Sequence, residues 1–356
     1  MNIYFDARWT KIGRHDGISR YGSSLVGALA KIHPVTMIIC DRRQLAMLPE
    51  GIPYIMANKP LTPRELWLPF RLNRLGADVV YSPMQLMGTF GRKYKLIFTL
   101  HDLIFYKYKF PPTYISPPAR LAWWAYHHAY WPGRWLLNSA DFVVTVSETS
   151  KQEIIEHHLT DREVGVVYNA PSALPVVVAA AEPKRELVFM GTLMPYKNAE
   201  LLIRALELLP EYRLHLVGRG TPDRLDALRR VAGANLDRIT FWNGASDQDY
   251  AQVLNTATAS VSASRAEGFG LPVIEAMAVG VPFACTDMPI FHEVGGEAAL
   301  YFDPDSPADF AAKIRSLEDP ATRARVIAAG YVQAAKFTWD DSAARLLAIM
   351  TKLTAK

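Results

Sequence analysis

Short apolar runs, rich in β-branched residues, recur along this chain, and between them apolar positions return every three or four residues. The first pattern predicts strands buried on both faces, and the second predicts amphipathic helices covering them. In the first half the strand candidates are 2–6, 35–40, 78–82, 95–100, 141–146 and 164–168. In the second half they are 186–191, 213–218, 238–242, 257–263, 281–286 and 299–302. Strands alternating with helices in this way predict parallel α/β sheets, doubly wound.

The alternation resets over 169–183, a stretch of Pro, Ala and Val without helical period, which reads as a linker. The expected organisation is therefore a Rossmann-like domain at 1–170, a second at 171–337, and a closing helix at 338–356. Thr338 or Asp340 is placed to cap that helix. Domains of this type bind ligands outside the carboxyl ends of their strands, so residues directly after strands are the ones to inspect.

Composition narrows the classes. Of 356 residues, 50% are hydrophobic and 21% charged, which fits a globular chain of two cores. Cys40 and Cys285 match no metal or redox spacing and read as core residues of a reducing compartment. No basic, apolar leader follows Met1, and no apolar run approaches spanning length, so a cytoplasmic protein is expected. The net charge is +4, with the basic excess in the N-terminal half, where it can attract an anionic partner. Overall basicity is too modest to suggest nucleic acid.

The most informative string is Glu267-Gly268-Phe269-Gly270-Leu271-Pro272-Val273-Ile274-Glu275. Pro272 suits a first helical turn, so the string predicts a glycine loop entering a helix, with Glu275 in the first turn. Backbone N–H groups at Phe269, Gly270 and Leu271, aided by the helix dipole, suit a diphosphate. Glu267 and Glu275 are acceptors for sugar and ribose hydroxyls at its two ends. Glutamates at this spacing alone would mark a solvated face; the whole string between an apolar strand and an apolar helix describes a nucleotide-sugar site.

Other candidates follow strands. Gly191 opens a loop ending in Lys197, a point charge for a leaving phosphate, with Asn198 as cap of a helix from 199 to 209. His101 and Asp102 follow 95–100; His101 can hydrogen-bond a reacting sugar, while Asp102 can simply start the next helix. After the first strand a basic loop carries Arg14, Gly17 and Arg20, with Gly17 the candidate for close backbone approach. It lacks the G-x-G-x-x-G spacing of dehydrogenases.

The segment 105–135 interleaves aromatic and basic residues, Tyr106 and Trp123 among them. It suits a membrane interface or an acceptor platform, or else packing of its aromatics into its own domain. Asp303-Pro304-Asp305 and Asp247-Gln248-Asp249 read as turn and capping elements rather than metal ligands, so neither metal nor cofactor is expected.

On these residues the chain resembles family 4 of the retaining glycosyltransferases, which adopt the GT-B fold: two Rossmann-like domains facing across a cleft, with a C-terminal helix crossing back. Glu267 through Glu275 is similar to the family's Glu-x7-Glu motif. Phe5-Asp6-Ala7-Arg8 and Gly17 to Tyr21 resemble a bacterial mannosyltransferase-like subgroup. The resemblance implies that Glu275 binds the nucleotide ribose and Glu267 the donor sugar hydroxyls. It also implies that Lys197 neutralises the leaving phosphate and that His101 contacts the transferred sugar. Thr192 and Tyr196 stand where the family often has an arginine, leaving Arg219, Arg14 and Arg20 as candidates for the missing charge. The implied reaction is metal-independent hexosyl transfer, most simply of mannose from GDP-mannose, to a glycan or lipid-linked acceptor in polysaccharide biosynthesis. Alternatives are a UDP- or dTDP-sugar donor, a sugar-nucleotide epimerase, or a nucleotide-sugar-binding module. The N-terminal half would hold the enzyme peripherally at an anionic membrane surface.

Overall fold

The computed structural model describes residues 1–111, 116–172 and 183–355. Most of the predicted linker, 173–182, lies outside the described residues, as does Pro112 of the aromatic segment. The chain divides into two compact units, Met1–Asn169 with Thr338–Lys356, and Ala170–Phe337.

The first unit holds a seven-stranded parallel sheet: β1 (Ile3–Asp6), β2 (Val35–Ile39), β3 (Tyr54–Met56), β4 (Val79–Ser82), β5 (Lys95–Thr99), β6 (Phe142–Thr145) and β7 (Val164–Val166). Its order is β3-β2-β1-β4-β5-β6-β7, so the winding direction reverses between β1 and β4. Every residue of β1, β4 and β6 is buried, which is why these strands read as unbroken apolar runs. Only β3 escaped the sequence pattern. It is a three-residue edge strand whose Tyr54 and Met56 are exposed, so no buried run marks it.

The second unit holds β8 (Lys184–Phe189), β9 (Arg213–Leu216), β10 (Ile239–Phe241), β11 (Ala257–Ser262), β12 (Phe283–Thr286) and β13 (Ala299–Phe302), all parallel. The order β10-β9-β8-β11-β12-β13 reverses between β8 and β11.

The last helix, Trp339–Thr354, belongs to the first unit. Thr338 caps it, its Oγ1 accepting from the Asp341 N–H at 3.0 Å. Its Ala343, Leu346 and Met350 are buried, and it packs along the helix Gly17–Ile32. Trp339 meets the buried Tyr21 edge-on, and Ser342 Oγ donates to the Tyr168 carbonyl at 2.8 Å. Among the described residues no helix is long and apolar enough to cross a membrane.

Two local expectations need correction. The helix after the glycine loop is Leu271–Ala278, so Pro272 is its second residue and Glu275 its fifth, beyond the first turn. Asn198 does not cap the next helix, Ala199–Ala205, with its side chain. It adopts a left-handed backbone (φ 50°) that turns the amide away from the helix N–H groups, and Nδ2 donates instead to the Pro304 carbonyl at 3.0 Å.

Candidate active site

In the second unit the winding reverses between the neighbouring strands β8 and β11, and the loops that follow them diverge to leave a crevice at their carboxyl ends. Two loops occupy it, one from Gly191 to the 3-10 turn Pro195–Lys197, the other from Ala263 to Gly270. They are stitched together: the Arg265 N–H donates to the Tyr196 carbonyl at 2.8 Å, and Thr286 Oγ1 to the Ser264 carbonyl at 2.5 Å. The loop after β9 joins them, its Arg219 carbonyl accepting from the Leu193 N–H at 2.9 Å. Gly218 passes so close that a Cβ there would lie 1.3 Å from the Gly191 oxygen.

Lys197 and Glu267, assigned separately from the sequence to phosphate and sugar, prove to be partners. The Lys197 ammonium pairs with Glu267 Oε1, which also accepts from Ser264 Oγ at 2.9 Å. Their side chains are 12% and 14% exposed, so solvent screens the pair far less than a surface one. Tyr196 lies beside the ammonium, its ring centroid 5.4 Å from Nζ. The arrangement holds one cation and one acceptor-only carboxylate side by side at the rim of the crevice.

Gly268, Phe269 and Gly270 are buried behind this pair, and Leu271 is half-buried. Phe269 meets Phe337 edge-on at 5.5 Å, which fixes the loop. Gly270 takes the left-handed region (φ 88°) and hands the chain to the helix; a Cβ there would fall 3.0 Å from the Phe291 ring. Glu275 is buried on that helix and engaged within the chain. Arg219 is exposed, its guanidinium lying across Gly244.

His101, after β5 of the first unit, is held by the loop after β4: its Nε2 lies 2.9 Å from the Pro83 carbonyl. A carbonyl only accepts, so Nε2 carries the proton. Burial pushes the imidazole below its ordinary pKa, against the opposing effect of the Pro83 bond. His101 is thus neutral near pH 7, with Nδ1 as a hydrogen-bond acceptor. Asp102 starts the next helix, Oδ1 accepting from the Ile104 N–H at 2.9 Å. Gly17 is the first residue of its helix, and a Cβ there would meet nothing within 4 Å, so its own unit does not require glycine. Arg14 is exposed and Arg20 half-buried.

Sequence reasoning missed a charge cluster, largely buried, at the carboxyl end of β1. Arg8 donates from Nε and Nη2 to the two carboxylate oxygens of Asp6 at 2.7 and 2.9 Å, and from Nη1 to Glu65 at 2.5 Å. Only Asp6-Ala7-Arg8 hinted at it; Glu65 is brought in by the fold.

The aromatic segment divides. Tyr106 stacks on Tyr130 at 4.9 Å, and Trp123 lies over His127 at 4.0 Å, so both serve their own unit's packing. Trp124, Trp131 and Trp135 face outward, the last two 72% and 75% exposed, and the helix Pro117–Tyr126 buries no residue. Of the acidic pairs, Asp303 Oδ1 accepts from the Asp305 N–H at 2.8 Å, and Asp249 forms a capping box with Ser246. Among the described residues, no group of three His, Cys, Asp or Glu could hold a metal.

Comparison with known proteins bears on the fold and the family. Residues 15–170 match the family model "Glycosyltransferase Family 4", and residues 173–333 match "Glycosyl transferases group 1". The O-antigen chain mannosyltransferase B of Escherichia coli is 34% identical over 58% of this chain and 59% of its own length. The O-antigen chain mannosyltransferase RfbU of Salmonella typhimurium is 26% identical over 85% of this chain and 87% of its own. The structure of Anabaena Alr3699/HepE in complex with UDP and glucose superposes with a TM-score of 0.71 at 18% identity, covering 99% of each chain. The fold is that of the two-domain GT-B glycosyltransferases. The chain belongs to glycosyltransferase family 4, among relatives that are bacterial mannosyltransferases.

Proposed function

We propose that this protein transfers a hexose, mannose from GDP-mannose, to a hydroxyl of a glycan or lipid-linked acceptor, with retention and without a metal. The observation that carries the reading is the Lys197–Glu267 pair, set at the winding reversal beside the glycine loop. A departing diphosphate competes with Glu267 for the ammonium, and the freed carboxylate accepts from donor sugar hydroxyls. Backbone N–H groups of Phe269, Gly270 and Leu271 stabilise the same developing charge, and Glu275 holds the ribose. Arg219 is the preferred replacement for the family's arginine, because its loop is bonded to the Gly191–Leu193 stretch. His101 offers Nδ1 to a sugar hydroxyl.

No carboxylate is positioned as a nucleophile by this reading, so the acceptor attacks on the face from which the diphosphate leaves, and that diphosphate takes the acceptor proton. The test is a hydrolysis screen with GDP-, UDP-, dTDP- and ADP-sugars in EDTA, following nucleoside diphosphate release. Release from GDP-mannose alone is expected. Release from a UDP-sugar, the class of nucleotide bound by Alr3699/HepE, would replace the donor assignment. Release only on adding a divalent ion would remove the metal-free mechanism.

The same reading includes peripheral membrane attachment, supported by outward Trp124, Trp131 and Trp135 near Arg120 and Arg134. Flotation with phosphatidylglycerol vesicles at low salt is expected to carry the protein upward. A Trp131→Ser/Trp135→Ser variant is expected to stay behind, and equal flotation of both would count against this surface.

A further inference from the structure

Both bonds that hold the Glu267 side chain end on the same oxygen. Oε1 accepts from the Lys197 ammonium and from Ser264 Oγ, and among the described residues Oε2 accepts from nothing. A carboxylate oxygen has two lone-pair sites, so Oε1 is filled and Oε2 is left for a ligand. The spacing Ser264-Arg265-Ala266-Glu267 is that of a helix capping box, but the helix begins only at Leu271. The Ser264 hydroxyl therefore serves the carboxylate rather than a helix end. Arg265, between them, gives its guanidinium to Asp305 and to the Pro304 carbonyl.

Ser264 is itself firmly seated. It is fully buried, its carbonyl accepts from Thr286 Oγ1 at 2.5 Å, and its N–H donates to Ser262 Oγ at 3.4 Å. These contacts, like the bond from the Arg265 N–H to the Tyr196 carbonyl, all use main-chain atoms of the loop. The backbone thus sets the path of the loop, and the Ser264 hydroxyl goes to Glu267.

We infer that Ser264 is a positioning residue of the transfer reaction, acting through Glu267; the inference rests on the reading proposed above. In the empty site Lys197 and Ser264 share the hold on Oε1. Once a donor diphosphate takes the ammonium, the Ser264 hydroxyl is the remaining intrachain donor to the carboxylate. It fixes Oε1, and so sets where Oε2 meets the sugar hydroxyls. Without it the carboxylate turns about its broad terminal torsion. Misplacement of that kind at a reacting centre is costly in rate.

The test follows nucleoside diphosphate release by Ser264→Ala from the donor turned over in the hydrolysis screen, GDP-mannose by expectation. Calorimetric nucleotide binding and thermal unfolding are measured alongside. Turnover is expected to fall about tenfold to a hundredfold, with KM and nucleotide affinity within about threefold of the parent. Unfolding should hardly move, because the backbone contacts of the loop survive. Thr286→Val is the structural comparison: it releases the Ser264 carbonyl, so stability, nucleotide affinity and turnover should fall together. In a Glu267→Gln background, Ser264→Ala should lower turnover by less than about threefold, since no carboxylate remains to be positioned. The inference is overturned if Ser264→Ala turns over like the parent or follows the Thr286→Val pattern. An undiminished effect beside Glu267→Gln would overturn it equally. Lost turnover in Glu267→Gln with none lost in Ser264→Ala sinks this inference alone. Full turnover in Glu267→Gln, or a parent that turns over no donor, sinks the underlying reading and this inference with it.

Discussion

Replacing Glu267 by glutamine is expected to slow sugar transfer by roughly 10²- to 10⁴-fold while leaving nucleoside diphosphate affinity within a few-fold of the parent. Glutamine keeps the shape and one oxygen acceptor, so Ser264 Oγ can still donate to it and the loop stays in place. What disappears is the negative charge beside Lys197 and one of the two oxygens that can accept from sugar hydroxyls. The nucleotide contacts are assigned to other residues, so binding should survive. Lys197→Ala should behave differently. It leaves the Glu267 charge largely buried with only the Ser264 hydroxyl, so stability and turnover both fall. Steady-state kinetics with calorimetric nucleotide binding separates the two. If Glu267→Gln keeps turnover within about tenfold of the parent, the carboxylate is not part of the reacting centre. A pure nucleotide-sugar binder would have no turnover to lose.

Gly218→Ala is expected to destabilise the second unit by on the order of 3 kcal/mol or more and to remove activity with it. The methyl group would sit 1.3 Å from the Gly191 oxygen and 2.5 Å from its carbonyl carbon, both rigid backbone. The chain cannot relax cheaply there, because hydrogen bonds lash the two segments on either side. The Val217 N–H donates to the Phe189 carbonyl, and the Leu193 N–H to the Arg219 carbonyl, each at 2.9 Å. Separating them moves the loop that carries Lys197. Urea or thermal unfolding would check this, with Gly17→Ala, where a Cβ meets nothing within 4 Å and the backbone is not left-handed, as the comparison. A Gly218→Ala protein as stable as its parent would show that the close approach is not maintained in solution.

Much of the fold was legible because parallel strands covered on both faces must be apolar throughout. Mostly apolar, fully buried runs of this kind form β1, β4 and β6. The glycine loop was legible too, since the left-handed position two residues before Pro272 leaves few choices but glycine, here Gly270. The exposed edge strand β3 carried no such mark. Neither did the inward turn of Glu65, which depends on Arg8, Asn58 and Gly88 meeting from three separate loops.

The sequence by itself determined the strand order in the chain, the helix entry after Gly270, and which charged residues follow strands. Only the tertiary structure decided which of those charges meet. Lys197 and Glu267 lie 70 residues apart and touch because the sheet places β11 directly beside β8. Strand adjacency comes from packing all the helices over one sheet, a global compromise that no local run of residues encodes. The same compromise turns Glu65 inward onto Arg8.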